Sequence, residues 1–282
     1  MGSSKKFIAL LLILGILSGI SCTQKKEEKK AAVQEGEPKY GGSFVLDVIS
    51  DPKSFNPVIA KETSTTAVTG YLFEGLTQMN PFTTEIEPNL AKSWEFSKDG
   101  KVWTFYLRDD VKWFDGRPLT ADDVVFTYTQ LYYNKSIPAD ARDILTIEGK
   151  EIKVERVDDH TVRFILPKPF APLLSALGFD ILPRHILEPV VKAGRFNSHW
   201  GVNTPLAQII GTGPFMLSEY APSQRIVLKK NPNYWKKDKK GNSLPYLDNI
   251  TMLIVPDLNS SILKFQAGET SMLSMRPEDY TV

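Results

Sequence analysis

Strict alternation of apolar and polar positions marks residues 103–107, with Trp103, Phe105 and Leu107 on one side and Thr104 and Tyr106 on the other. That period predicts a strand with one buried face. Residues 43–49 form a short apolar run opened by Gly41-Gly42, which suits a buried strand, and 225–229 and 250–255 read the same way. Runs 151–157 and 161–166 flank Asp158-Asp159-His160 and predict a hairpin, with His160 a turn residue in solvent. Residues 65–79 space Val68, Tyr71, Leu72 and Leu76 as a helix does, broken at Gly75. A second helix is expected from Thr120, which caps free N–H groups while Asp122 and Asp123 sit at the positive end of the helix dipole. Its stripe is Val124, Val125, Tyr128, Leu131 and Tyr132. Adjacent carboxylates on a helix diverge by about 100°, so Asp122 and Asp123 are read as capping groups and not as an acid/base pair. Near the end, Asp257 caps a helix over 258–267 that stops at Gly268, and 270–275 is expected to add a strand, completing a βαβ unit. The elements together predict an α/β chain.

The first 39 residues have a different pattern. Lys5 and Lys6 precede an apolar run at 7–20 that ends at Cys22. A run of about 14 residues is shorter than the roughly 20 needed to span a bilayer. Residues 1–21 therefore read as a signal peptide, and Cys22, the single cysteine, as the lipidated first residue of the mature chain. The lipidation motif departs from the usual one, with Gly19 where Leu is customary. Residues 22–39 are rich in Lys and Glu with no apolar face, and read as a tether reaching roughly 20–25 Å from the membrane.

Composition narrows the chemistry. The 282 residues carry 34 Lys+Arg against 33 Asp+Glu, so no positive field exists for nucleic acid. One cysteine makes neither an internal disulfide nor a thiolate zinc site, and no metal or cofactor is expected. The three histidines, His160, His185 and His199, lie far apart in the sequence without a nucleophile and orienting partner beside them, which argues against an enzyme. Gly211-Thr212-Gly213-Pro214 lacks the further glycine, lysine and helix of a phosphate cradle, and Pro214 removes a donor. Gly211, Gly213 and Pro214 are read as a hinge or tight connection between domains.

Several segments, in order, carry a resemblance: Tyr40-Gly41-Gly42, Ser54-Phe55-Asn56-Pro57, Leu72-Phe73-Glu74-Gly75-Leu76 and Pro88-Asn89-Leu90-Ala91-Lys92-Ser93-Trp94. They continue with Val111-Lys112-Trp113-Phe114-Asp115-Gly116, Gly211 to Phe215, Asn231-Pro232-Asn233-Tyr234-Trp235 and Phe265-Gln266-Ala267-Gly268-Glu269. The chain resembles the solute-binding proteins of the oligopeptide and dipeptide uptake family, family 5, that serve ABC importers. The resemblance implies a periplasmic-binding-protein type II-like bilobal fold, with peptide held between lobes by strand addition. It implies a discontinuous domain I over 40–62 and 184–282, and domain II inserted over 63–183. Family members are much longer, and the second lobe, domain III, is expected beyond this sequence, which reads as a half-receptor. The turn Ser50, Asp51 and Pro52 is the segment that maps onto the ligand side. The function implied is capture of peptides or related small solutes for ABC permease subunits, from a lipid anchor at Cys22 on the periplasmic side of a bacterial membrane. The alternative is a short surface or interaction protein derived from that family, without tight solute binding.

Overall fold

In the computed structural model, which describes residues 37–59 and 62–275, the first apolar run forms β1 (Ser43–Val48). The signal peptide, Cys22 and most of the tether expected from sequence lie outside the described residues. Helix α1 (Thr63–Thr69) stops at Gly70, well short of the helical pattern that predicts it. Residues 70–76 leave the helix, and β2 (Thr77–Met79) pairs antiparallel with β3 (Ile86–Pro88). Tertiary backbone bonds explain the difference: Leu76 N–H donates to Leu177 O at 2.9 Å, and Leu90 N–H to Gly75 O at 3.3 Å. Gly75 sits so close to the next segment that a Cβ there would lie 2.4 Å from Gly178 O. The glycine that reads as a helix break is a point of backbone contact.

Two strands follow, β4 (Ala91–Phe96) and β5 (Val102–Leu107). Helix α2 (Ala121–Phe126) starts as expected, with the Thr120 N–H donating to Asp123 Oδ2 at 2.9 Å. It runs into a π-helical turn over Thr127–Tyr132. After α3 (Ala141–Ile144) and the small ladder β6 (Thr146–Ile147) with β7 (Lys150–Glu151), the predicted hairpin forms from β8 (Lys153–Asp158) and β9 (Thr161–Ile165). Helices α4 (Leu173–Ala176) and α5 (Arg184–Lys192) lead to β10 (Phe215–Ala221), β11 (Arg225–Lys230), β12 (Asn249–Ile254) and α6 (Leu258–Gln266). Asp257 caps α6 by accepting from Ser260 N at 3.0 Å, and Gly268, at φ +74°, follows its end.

The longer strands make two sheets. One has the order β1-β12-β11-β10, with β1 parallel to β12 and the other pairs antiparallel. The other, β4-β5-β9-β8, is antiparallel throughout. Alternation along β5 and β9 buries Phe105 and Phe164 in edge contact at 5.4 Å, and Tyr128 meets Phe164 at 5.1 Å. Each ring contributes ~1.5–3 kcal/mol by leaving water. The mixture of helices and sheets is the expected α/β class. The strand expected at 270–275 does not form among the described residues. Only Ser271 meets β1, its N–H donating to Val45 O at 2.6 Å while its own hydroxyl accepts from Val45 N at 3.1 Å. A side chain replaces the carbonyl that a continuing ladder needs.

Candidate functional site

Parallel pairing brings the carboxyl ends of β1 and β12 together, the position where open α/β sheets receive ligands. At that end Ile49 is 69% exposed and Ser50 is open to solvent. The neighbouring predicted residues face the protein instead. Asp51 accepts from the Tyr220 hydroxyl at 2.9 Å and from Ser223 N–H at 3.0 Å, tying the turn to the β10–β11 loop. Burial and the Asp51 carboxylate push the Tyr220 hydroxyl up to about 12. Pro52 is buried. Of Ser50, Asp51 and Pro52, only Ser50 presents a free polar group.

Beside this turn β1 has an open edge. Val45 turns its N–H and C=O outward to Ser271, whereas Val48 O accepts from Val255 N–H on the β12 side. Successive residues of a strand alternate in direction, so Asp47 and Ile49 present their backbone groups on the same outer edge as Val45. No backbone partner meets them there among the described residues. The Asp47 side chain is separately engaged by the Ser261 hydroxyl.

A second concave region, of about 650 Å³, opens where residues 70–79 pass residues 175–180. Its charged lining residues are Glu74 and Asp180. Glu74 is 8% exposed and accepts from the Tyr234 hydroxyl at 2.9 Å and from Trp235 Nε1 at 3.2 Å. Burial raises its pKa and these hydrogen bonds oppose the rise. Asp180 is half-buried and recessed, and no hydrogen bond reaches its carboxylate among the described residues. Desolvation, and next the neighbouring Glu74, push it up to about 7. Two cations stand outside the lining. Arg108 lies 4.1 Å over the Trp235 ring, and Lys236 Nζ donates to Gln78 Oε1 at 2.8 Å. This constellation escapes sequence reading because Glu74 and Asp180 come from distant segments. The available signal is a carboxylate set inside the apolar run Leu72-Phe73-Glu74-Gly75-Leu76.

Of the Gly211 to Pro214 segment, Pro214 lines this region, and the two glycines before it pack on residues 71–73. Gly213 N–H donates to Leu72 O at 2.9 Å, and Asn231 Nδ2 donates to Gly213 O at 2.9 Å. A Cβ on Gly211 would lie 1.9 Å from Leu72 O, so both glycines serve close backbone approach. The histidines find separate surroundings. His185 pairs with Asp115 at 2.7 Å, and His199 stacks on Trp200. His160 is half-buried, contrary to its expected place in solvent, because its carbonyl accepts from Leu107 N–H and draws the turn onto β5. Among the described residues no group of three His, Cys, Asp or Glu could hold a metal, and no helix is long and apolar enough to cross a membrane.

Residues 85–282 match the family model of the bacterial extracellular solute-binding proteins, family 5 Middle. The chain belongs to this family. The family 5 chain is 34% identical over 278 residues to a probable ABC transporter-binding protein of Deinococcus radiodurans, covering 96% of this chain and 46% of that protein. It is also 34% identical over 239 residues to the dipeptide-binding protein of Escherichia coli, covering 79% of this chain and 42% of the relative. Among solved structures, the oligopeptide-binding protein AppA from Bacillus subtilis in complex with a nonapeptide superposes with a TM-score of 0.74 at 29% identity. That match covers 86% of this chain and 46% of AppA. The family 5 chain thus spans about half the length of the relatives it matches.

Proposed function

We propose that the chain captures peptides or related small solutes outside the cytoplasm for an ABC importer, as a receptor without enzymatic activity. The observation that carries the reading is the open outer edge of β1 at Asp47 and Ile49, beside the exposed Ser50. An extended peptide pairs with such an edge through its backbone, so affinity depends little on its side chains. The match to a nonapeptide-bound relative supports the same class of ligand. In this reading the first sheet belongs to domain I, built from 40–62 and 184–282, and the second to domain II over 63–183. Gly211, Gly213 and Pro214 connect them. Cys22 carries the lipid that holds the receptor on the periplasmic side of the membrane, near its permease subunits.

The test is calorimetric titration of the chain with short peptides, alongside Ile49→Pro. Proline removes one outward N–H and spares the register of β1 with β12, which ends at Val48. The 282-residue chain is expected to bind with a dissociation constant on the order of micromolar or weaker, because one strand edge leaves the ligand half solvated. Ile49→Pro is expected to weaken binding further. Binding indifferent to that substitution, or a nanomolar constant, overturns the edge-pairing reading. The anchor is checked by the intact mass of membrane-extracted protein, which exceeds that of the processed chain by the lipid on Cys22.

A further inference from the structure

The near-even count of positive and negative residues is not evenly spread over the fold. Between β11 and β12 the chain reads Lys236-Lys237-Asp238-Lys239-Lys240, and Lys237, Lys239 and Lys240 are exposed. The one acid in this run is turned to internal use. Asp238 accepts from the Tyr246 hydroxyl at 2.6 Å, Asn242 Nδ2 at 2.8 Å, Asn242 N–H at 2.7 Å and Lys240 N–H at 2.8 Å. These donors, the Tyr246 hydroxyl foremost, hold its carboxyl well below the usual carboxylate range. Gly241, at φ +87°, lets the chain turn, and Asp238 N–H closes the loop on Asn242 O at 2.9 Å. The lysines are therefore presented from a fixed frame.

The same loop is fastened to the start of the folded unit, which begins at Lys39. The Tyr40 hydroxyl donates to Ser243 O at 2.9 Å, Gly41 N–H donates to Tyr246 O at 2.9 Å, and the two tyrosine rings meet edge-on at 5.4 Å. Lys230 Nζ lies 4.8 Å over the Tyr40 ring, and the exposed Lys39 precedes that tyrosine. Lys39, Lys230, Lys237, Lys239 and Lys240 thus gather around one tyrosine pair. The lysines that pair with acids among the described residues, Lys53, Lys153, Lys168, Lys192 and Lys264, all lie elsewhere. Lys236 is set apart, because it donates to Gln78. The acids of the loop and its flank are Asp238 and Asp248, the latter with Oδ2 3.5 Å from the position a Cβ on Gly41 would take. Five lysines less two acids leave an excess of three positive charges on this face.

We propose that this lysine and tyrosine face docks on the anionic headgroups of a lipid bilayer. Charge complementarity carries the assignment: clustered lysines are drawn to an anionic surface, each adding to the attraction. Tyr40, 52% exposed, adds an apolar ring with a polar tip, the kind of side chain that suits headgroup depth. The identity of the surface rests on the anchored-receptor reading. A chain lipidated at Cys22 would enter the folded unit at Lys39, within this group of lysines, on a tether of roughly 20–25 Å. The face lies at the amino end of β1, where Asp248 N–H donates to Gly42 O at 3.0 Å, whereas the open turn at Ser50 follows its carboxyl end. A receptor docked in this way holds its peptide edge away from the bilayer, open to solute.

Vesicle sedimentation tests the proposal with the chain from residue 22 onward carrying Cys22→Ser. That protein has neither lipid nor the apolar run 7–20, and the residues removed lie outside the described fold. It is expected to sediment with vesicles of phosphatidylglycerol and phosphatidylcholine, not with phosphatidylcholine alone, and to be released as salt rises from about 50 to about 500 mM. Replacing Lys237, Lys239 and Lys240 together by Ala should weaken vesicle binding on the order of a hundredfold, about fivefold per lysine. Circular dichroism establishes that this surface variant is folded. Replacing the exposed Lys92, Lys98 and Lys101 by Ala removes the same charge elsewhere and should change the affinity by no more than about twofold. No sedimentation with anionic vesicles, equal sedimentation with neutral ones, or equal losses in the two triple variants would each overturn the docking face. Vesicle binding by this protein, with no lipid found on Cys22 of the native chain, would sink the anchor and leave the face standing; a lipidated Cys22 without vesicle binding would sink the face alone. The loop variant should leave peptide titration unchanged, so the peptide reading fails separately as well.

Discussion

The start of α2 and the cleft beside residues 70–79 both draw a carboxylate out of water, and they treat it in opposite ways. Asp123 is 5% exposed and accepts from Thr120 N–H and Arg184 N–H, each at 2.9 Å, so its oxygens close the helix start and hold α5 against it. Asp180 is recessed and has no donor among the described residues. Desolvation is the largest cause of a raised pKa at both positions, yet only at Asp123 do backbone hydrogen bonds oppose it. The contrast teaches that burial of an acid is not itself a functional sign; what distinguishes the cleft is burial without compensation.

The sharpest way to break this contrast is to remove both carboxylates in turn. Asp123→Ala should lower stability by about 2–4 kcal/mol in urea unfolding, because it deletes a cap and leaves two inward N–H groups without acceptors. Asp180→Asn should act in the other direction. The folded protein keeps the Asp180 proton up to about pH 7, whereas an ordinary aspartate releases it near 3.8. The native state therefore binds the extra proton between those values, and the stability this group contributes falls as pH rises through that window. Asp180→Asn should flatten the fall and raise stability on the order of 1–3 kcal/mol at about pH 8. Equal losses for both variants would erase the distinction drawn here. The smallest effect belongs to Asp122→Ala, expected within ~0.5 kcal/mol. That side chain is 47% exposed and meets Arg156 at 3.6 Å and Arg184 at 3.4 Å.

Family membership and the peptide reading rest on different supports. Motifs spread from Tyr40 to Glu269 carry the first, and the match over 85–282 shows it. The second depends on which strand edges lie open, a property of sheet order. With β1 at the margin of β1-β12-β11-β10, its outer backbone groups are available to a ligand; in the middle of that sheet they would not be.

Sequence alone determined the elements whose information lies within a few neighbouring residues. Alternation marks β5 and the β8–β9 hairpin, and Thr120 and Asp257 mark the helix starts, because pleat, turn and cap are local in the chain. Asp122 and Asp123 also diverge as their adjacency requires, one to surface arginines and one inward. Tertiary structure alone decided the rest. The helical spacing of 65–79 gave way after Gly70 because Leu76 and Gly75 find backbone partners in distant segments, and those bonds outweigh weak helix propensity. Asp51 looks like a free turn acid until Tyr220 and Ser223 are brought to it. Asp180 gains its raised pKa only where the chain folds it beside Glu74, because desolvation and charge repulsion depend on neighbours in space and not on neighbours in sequence.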